Sequence, residues 1–113
     1  MLIYKIFRPA EWAALEAAGE TAGAPVDLAD GYIHFSTAET VAETAAKHFA
    51  GEDDLILAAV EAAPLGSALR WETSRDGLAF PHLYRVLRRE EVRWHASLPL
   101  GPDGTHRFPE LPG

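Results

Sequence analysis

No cysteine occurs in the 113-residue chain, so disulfides, thiolate nucleophiles and cysteine-ligated zinc are excluded, and packing alone must hold the fold. No apolar run approaches the roughly 20 residues needed to cross a bilayer. Met1 to Lys5 opens as a strand rather than a secretory leader, which makes the cytoplasm the expected location. Positive charge is scarce: ten Lys and Arg stand against seventeen Asp and Glu, for a formal net charge of −7. That excess argues against general adhesion to nucleic acid or to an anionic membrane. Also missing are a Gly-x-Ser-x-Gly elbow, a P-loop, a Gly-x-Gly-x-x-Gly turn and any histidine pair at metal-ligand spacing, so no metal is expected. What remains is a chain sized for one domain, 48% hydrophobic, whose three Trp, three Tyr and five Phe can supply a core.

The charge is unevenly spread. Residues 1 to 63 hold eleven acids and three bases, whereas residues 64 to 113 hold six and seven. Arg85, Arg88, Arg89 and Arg93 fall close together and could grip a phosphate or carboxylate through bidentate donors. Glu90 and Glu91 lie among them, and the alternative is a solvated basic edge that neutralises itself.

Local patterning predicts the elements. Leu2 to Phe7 is a β-branched and aromatic run, followed by a helix that starts at Pro9 and continues through Trp12, Leu15 and Ala18 to Gly19. Glu20 to Asp30, with Gly23, Pro25 and Asp27, reads as a loop closing on Asp30-Gly31 before a strand from Tyr32 to Phe35. Ser36-Thr37-Ala38-Glu39 matches a capping box and predicts a helix whose inner stripe is Val41, Ala42, Ala45, Ala46 and Phe49, with Glu39, Glu43 and Lys47 facing away and Gly51 as the stop. Leu55 to Val60 is too uniformly apolar for a half-exposed strand and belongs at the centre of a sheet. Alternation puts Leu69 and Trp71 inward and Arg70 and Glu72 outward, and Asp76-Gly77 forms a turn. His82 to Leu87 is extended or mixed, and Val92, Trp94, Ala96 and Leu98 face inward on a last strand. The expected fold is a single α+β domain over residues 1–98, a mixed and mostly antiparallel sheet of about five or six strands with two main helices, followed by a Pro/Gly-rich tail over residues 99–113.

Two segments can carry chemistry. In Asp30 to Thr37, strand alternation sets Tyr32, His34 and Ser36 on one face beside a helix N-terminus, where an anionic ligand group could meet hydrogen bonds from His34, Ser36 and Thr37. In Gly77 to Arg85, His82, Tyr84 and Arg85 could form a polar wall with an imidazole for proton transfer and a ring for stacking. Glu72 lies upstream as a carboxylate that either pairs with an arginine or joins the site. The competing reading makes His34 a core histidine, Ser36 a simple cap, and His82 and Tyr84 loop braces. His48, His95 and His106 carry weaker signals: a helix end, a polar strand face and the tail. A two-histidine phosphoesterase needs paired His-x-Ser/Thr segments; His34-Phe35-Ser36 fits, whereas the second segment is His82-Leu83-Tyr84.

Ile3-Tyr4-Lys5-Ile6, Asp30 to Thr37, Leu69-Arg70-Trp71-Glu72 and Phe80-Pro81-His82-Leu83-Tyr84 together resemble the bacterial family known as domain of unknown function 952, over roughly residues 2 to 98. That family is in turn distantly similar to the ADP-ribosyltransferase-like fold. The resemblance implies a nucleotide-like or phosphorylated ligand, with NAD as a possible cofactor. His34 and Ser36 would orient the ligand, Tyr84 would stack, and His82 or Arg85 would assist. Phe35 departs from the glycine that those transferases carry after the histidine, which speaks against orthodox NAD use. The expected catalytic residues are therefore His34, His82 and Tyr84, and the expected ligand contacts are Tyr32, Ser36, Thr37, Arg85 and Glu72. The rival expectation is a non-catalytic binding or interaction module with structural histidines.

Overall fold

The computed structural model describes residues 1–74 and 77–112; Arg75 and Asp76, part of the expected turn, lie outside the described residues. Strand β1 (Leu2–Phe7) pairs antiparallel with β4 (Leu55–Glu61), and β4 pairs with β8 (Val92–Leu98), giving a three-stranded sheet in the order β1-β4-β8. A second sheet, β3-β6-β5, joins Ile33–His34, Ala79–Leu83 and Leu69–Thr73. Two-residue strands β2 (Glu20–Thr21) and β7 (Leu87–Arg88) form a small ribbon. Helices α1 (Pro9–Ala18), α2 (Pro25–Asp30) and α3 (Val41–His48) complete an α+β domain, so the expected fold class holds while the strands divide among three sheets.

Both faces of the first sheet are covered. Ile3, Phe7, Ala58 and Val60 join a core with Trp12 and Leu15 of α1 and with Ile33 and Leu83 of the second sheet. Tyr4, Ile6, Leu57 and Ala59 join the other core, with Val41 and Ala45 of α3. This two-sided burial is why Leu55 to Val60 is apolar at every position. A bulge at Ala59/Val60 sends Val92 to the first core while Leu98 and Trp94 face the second.

Four local expectations fail. Residues 25–30 are helical: Pro25 takes the first helical position, Asp27 accepts the N–H of Ala24 at 2.8 Å, and Gly31 closes the helix at φ 85°. Six residues are too few to show periodicity. The capping box at Ser36 does not form, because the Ser36 backbone exchanges two 2.8 Å hydrogen bonds with Tyr4, an isolated bridge between the two larger sheets. Residues 37–40 then make a turn, and α3 starts at Val41. Ala42 and Ala46, expected inside, are exposed. Trp71 does share a sheet face with Leu69, but the core stops short of it and leaves it 44% exposed.

The chain's end packs rather than hanging free. Phe108 and Leu111 lie on the second core, the Tyr4 hydroxyl donates to the Pro112 carbonyl at 2.6 Å, and His106 Nε2 lies 2.8 Å from the Glu52 carbonyl oxygen. Truncation after Leu98 should lower the melting temperature by several degrees, since it uncovers apolar surface and strips the buried Tyr4 hydroxyl of its partner. Calorimetry of the shortened chain checks this, and an unchanged transition would show that the tail adds nothing.

Candidate functional site

The register of the second sheet brings the two histidines together. His34 on β3 stands directly opposite His82 on β6, which stands opposite Arg70 on β5, so three residues far apart in the chain form one row. Side chains of one parity, Ile33, Leu83 and Leu69, turn to the core, and the other parity forms a polar face. The imidazole centroids of His34 and His82 are 5.3 Å apart, with the planes near perpendicular. Tyr32 stacks on His82 at 4.1 Å and lies 4.7 Å from His34 and 5.1 Å from Tyr84.

Each imidazole is backed by a carboxylate at Nδ1. Asp27 Oδ1 lies 2.6 Å from His34 Nδ1, and Glu72 Oε1 lies 2.7 Å from His82 Nδ1 and 2.6 Å from the Tyr84 hydroxyl. An ionised carboxylate can only accept, so the proton in each pair belongs on Nδ1. Hydrogen bonds from Tyr84 and then His82 hold the Glu72 carboxyl below the ordinary range, and the same bond to Glu72 pushes the Tyr84 phenol up. Burial, with the nearby charges of Asp30, Glu72 and Asp27, raises the Tyr32 phenol.

Beneath His34 lies a buried network. Lys5 shares strand parity with Ile3 and Phe7, which places its ammonium on the core side of β1, 2.9 Å from Asp27 Oδ2. Asp27, 1% exposed, accepts four hydrogen bonds: from Lys5, from the backbone of Ala24 and His34, and from the His34 ring. Burial alone would raise its carboxyl, but the His34 hydrogen bond and the Lys5 charge outweigh it and hold the group far below the usual carboxylate range. Gly23 passes so close that a Cβ there would overlap the Asp27 side chain. Asp30, one helical turn after Asp27, sets its carboxylate 3.0 Å from His34 Nε2, so α2 flanks both edges of one imidazole.

Lys5, Asp27, Asp30, Tyr32, His34 and His82 line a cleft of about 840 Å³, within the range of small-molecule sites, while Arg70, Glu72 and Tyr84 lie outside that lining. Its second wall is a polar stripe of α3, with Thr40, Glu43, Thr44, Lys47 and His48 recurring at helical spacing. Glu43 and Lys47, exposed on the side away from the buried stripe as expected, border the cleft, and Lys47 pairs with Glu43 at 3.1 Å. Among the described residues the lining charges balance: Lys5, Arg8 and Lys47 against Asp27, Asp30 and Glu43.

Of the residues singled out in the sequence, Tyr32, His34, His82, Tyr84 and Glu72 cluster on one face, and Ser36 lines the cleft with its hydroxyl 3.0 Å from that of Thr44. Two do not join them. Thr37 is spent on the turn before α3, where its backbone N–H and hydroxyl meet Thr40 Oγ1 at 3.0 Å. Arg85 is clamped by Glu91 at 2.9 and 2.7 Å and by the Val86 carbonyl, away from the cleft lining. The self-neutralised basic edge is thus what Arg85 belongs to. Lys5 and Asp27 were missed; an inward-parity lysine in an apolar strand was the available signal.

The family model described as a protein of unknown function (DUF952) matches residues 6–95. The chain belongs to that family. Two solved structures of protein CC0527 from Caulobacter crescentus are similar to it over nearly their whole length. Its X-ray crystal structure is 54% identical with a TM-score of 0.91, covering 95% of this chain and 94% of that one. Its solution NMR structure is 56% identical with a TM-score of 0.83, covering 92% and 90%. No curated protein matches the chain. No helix among the described residues is long and apolar enough to cross a membrane.

Replacing Asp27 with Ala should cost about 3 to 5 kcal/mol, because it leaves the Lys5 ammonium buried without its partner. Because the folded Asp27 titrates below its unfolded value of 3.8, its contribution is full above that pH and is lost as pH falls from there toward the folded value. Urea unfolding of wild type and Asp27→Asn between pH 2.5 and 6 checks this, with acid loss expected to be shallower in the variant. Equal slopes would remove Asp27 from the acid response.

Proposed function

We propose that the cleft is an acid–base active site for a nucleotide-like ligand, with NAD and ADP-ribose among the candidates. The observation that carries the reading is the pair of carboxylate-backed imidazoles, 5.3 Å between centroids, bordering one cleft of about 840 Å³. In it, a planar ring of the ligand packs against Tyr32, which the Tyr84 ring backs at 5.1 Å, and its hydroxyls meet Ser36, Thr40 and Thr44 along the α3 side. His34 orients the ligand from a fixed position, and the His82 side transfers protons. Arg85, held by Glu91, has no part in it. The balanced lining charge means that stacking and hydrogen bonding, rather than attraction to phosphate, supply the affinity, so binding should depend only weakly on salt.

The ADP-ribosyltransferase-like likeness belongs to this proposal. His34 and Ser36 border the cleft as that resemblance implies, while Phe35 packs its ring with Ile33 in the core. A two-histidine phosphoesterase is less well supported, because Asp30 stands 3.0 Å from the Nε2 that His34 would have to present. The non-catalytic reading draws its support from the Lys5–Asp27–His34 network, which gives His34 a structural role whatever the cleft binds.

Calorimetry with NAD, ADP-ribose and AMP is the test. Heat of binding is expected for at least one, weakened tenfold or more in His82→Ala with little change in melting temperature. His34→Ala should instead lower the melting temperature by several degrees, since it removes a hydrogen-bond partner of buried Asp27. Flat traces across the panel with folded protein would overturn the nucleotide reading in favour of the non-catalytic one.

A further inference from the structure

The two imidazoles are not equivalent, and the difference lies in what faces Nε2. His34 is held at both edges by α2, with Asp27 at Nδ1 and Asp30 at Nε2, 2.6 and 3.0 Å away. His82 is held only at Nδ1, by Glu72 at 2.7 Å; among the described residues its Nε2 has no partner, and the residue lines the cleft. We infer that Glu72 is a positioning residue that fixes His82 in the Nδ1–H tautomer and so offers the Nε2 lone pair to the cleft as the proton acceptor, leaving His34 as a fixed binding residue.

Three contacts, one of them made by Glu72 itself, hold the Glu72–His82 pair in this arrangement. Its Oε1 also accepts the Tyr84 hydroxyl at 2.6 Å, so two donors meet one oxygen and fix the carboxylate's orientation. Tyr32 stacked on the His82 ring limits rotation about its side-chain bonds. Arg70, the cross-strand neighbour of His82, sets its guanidinium over the Tyr84 ring at 4.9 Å and buttresses the phenol that shares Glu72. The chemistry that follows is balanced in protons. Nε2 takes the proton of a hydroxyl or water as that oxygen bonds to the electrophilic atom of the ligand, the resulting imidazolium strengthens its Nδ1–H bond to the Glu72 carboxylate, and the bond from the electrophilic atom to the leaving oxygen breaks, its electron pair going to that oxygen, which receives the same proton from Nε2. This catalytic role rests on the acid–base reading of the cleft, whereas the tautomer is a property of the ligand-free protein and is measurable on its own.

The experiment is a long-range proton–nitrogen correlation spectrum of the imidazoles in histidine-labelled, ligand-free protein, recorded at a pH where His82 is neutral. In the wild type, neutral His82 should show a protonated Nδ1 and a bare Nε2. Glu72→Leu, which removes every acceptor, should move it toward the Nε2–H form that free histidine favours, whereas Tyr84→Phe, which keeps the carboxylate, should leave the Nδ1–H form in place. Glu72 sits at the surface, and thermal unfolding confirms that both variants fold. A wild-type His82 in the Nε2–H form, or an unaltered His82 signature in folded Glu72→Leu, overturns the inference even if nucleotides bind. Conversely, a flat nucleotide panel alongside the expected tautomer shift removes the proposed ligand and leaves Glu72 positioning His82.

Discussion

The ammonium of Lys5 is buried in the side of β1 that faces the core, and much of the site's geometry follows from how that charge is satisfied. Taking an ion of this kind out of water costs several kcal/mol, which only a well-placed counter-charge can offset. Asp27 supplies it, and is itself acceptable in the interior because four donors surround it. Those donors come from β1, the residue before α2, and β3. Helix α2 therefore has one seat, fixed by electrostatics rather than by a broad apolar face; Gly23 lacks a side chain where one would collide with the carboxylate. Once α2 is seated, Asp30 comes to the second edge of His34 without further requirement.

This arrangement explains why the cleft is asymmetric. One imidazole is built into a buried network and is as fixed as the core beneath it. The other, His82, is more shielded than His34, with side chains 13% and 35% exposed, but it joins only the surface groups Glu72 and Tyr84 and is tied to the rest of the sheet by register and ring stacking. The two imidazoles thus differ in their partners: His34 meets a carboxylate at each nitrogen, and His82 meets one at Nδ1. The α3 wall adds hydroxyls and a balanced ion pair, so the cleft offers hydrogen bonds more than net charge.

Much of the scaffold is visible in local pattern. The unbroken apolar run at Leu55 to Val60 marks the central strand because both its faces are covered, and Pro9 to Gly19 marks α1 by its start and stop residues. Alternation separates Tyr32 and His34 from Ile33 and Phe35, which is the distinction on which the site depends. Pattern misleads where a longer-range contact competes with a local one. Ser36 has the right neighbours to cap a helix, yet its backbone bridges to Tyr4 and the helix begins later. Trp71 has inward parity, but parity says nothing about how far the core extends. Arg85 sits beside Tyr84 in the chain, yet Glu91 holds it on another surface.

Composition and alternation by themselves determined the α+β class, the apolar faces and the presence of two polar histidine segments, because each of these is set by residues one or two positions apart. Tertiary structure alone decided that β3 and β6 pair with His34 opposite His82, that Asp27 and Glu72 stand behind those rings, and that α3 turns Glu43 and Lys47 toward the cleft. Side-chain hydrogen bonds between distant segments leave no local signature; they exist only after strand register and helix seating have brought the partners within about 3 Å of one another.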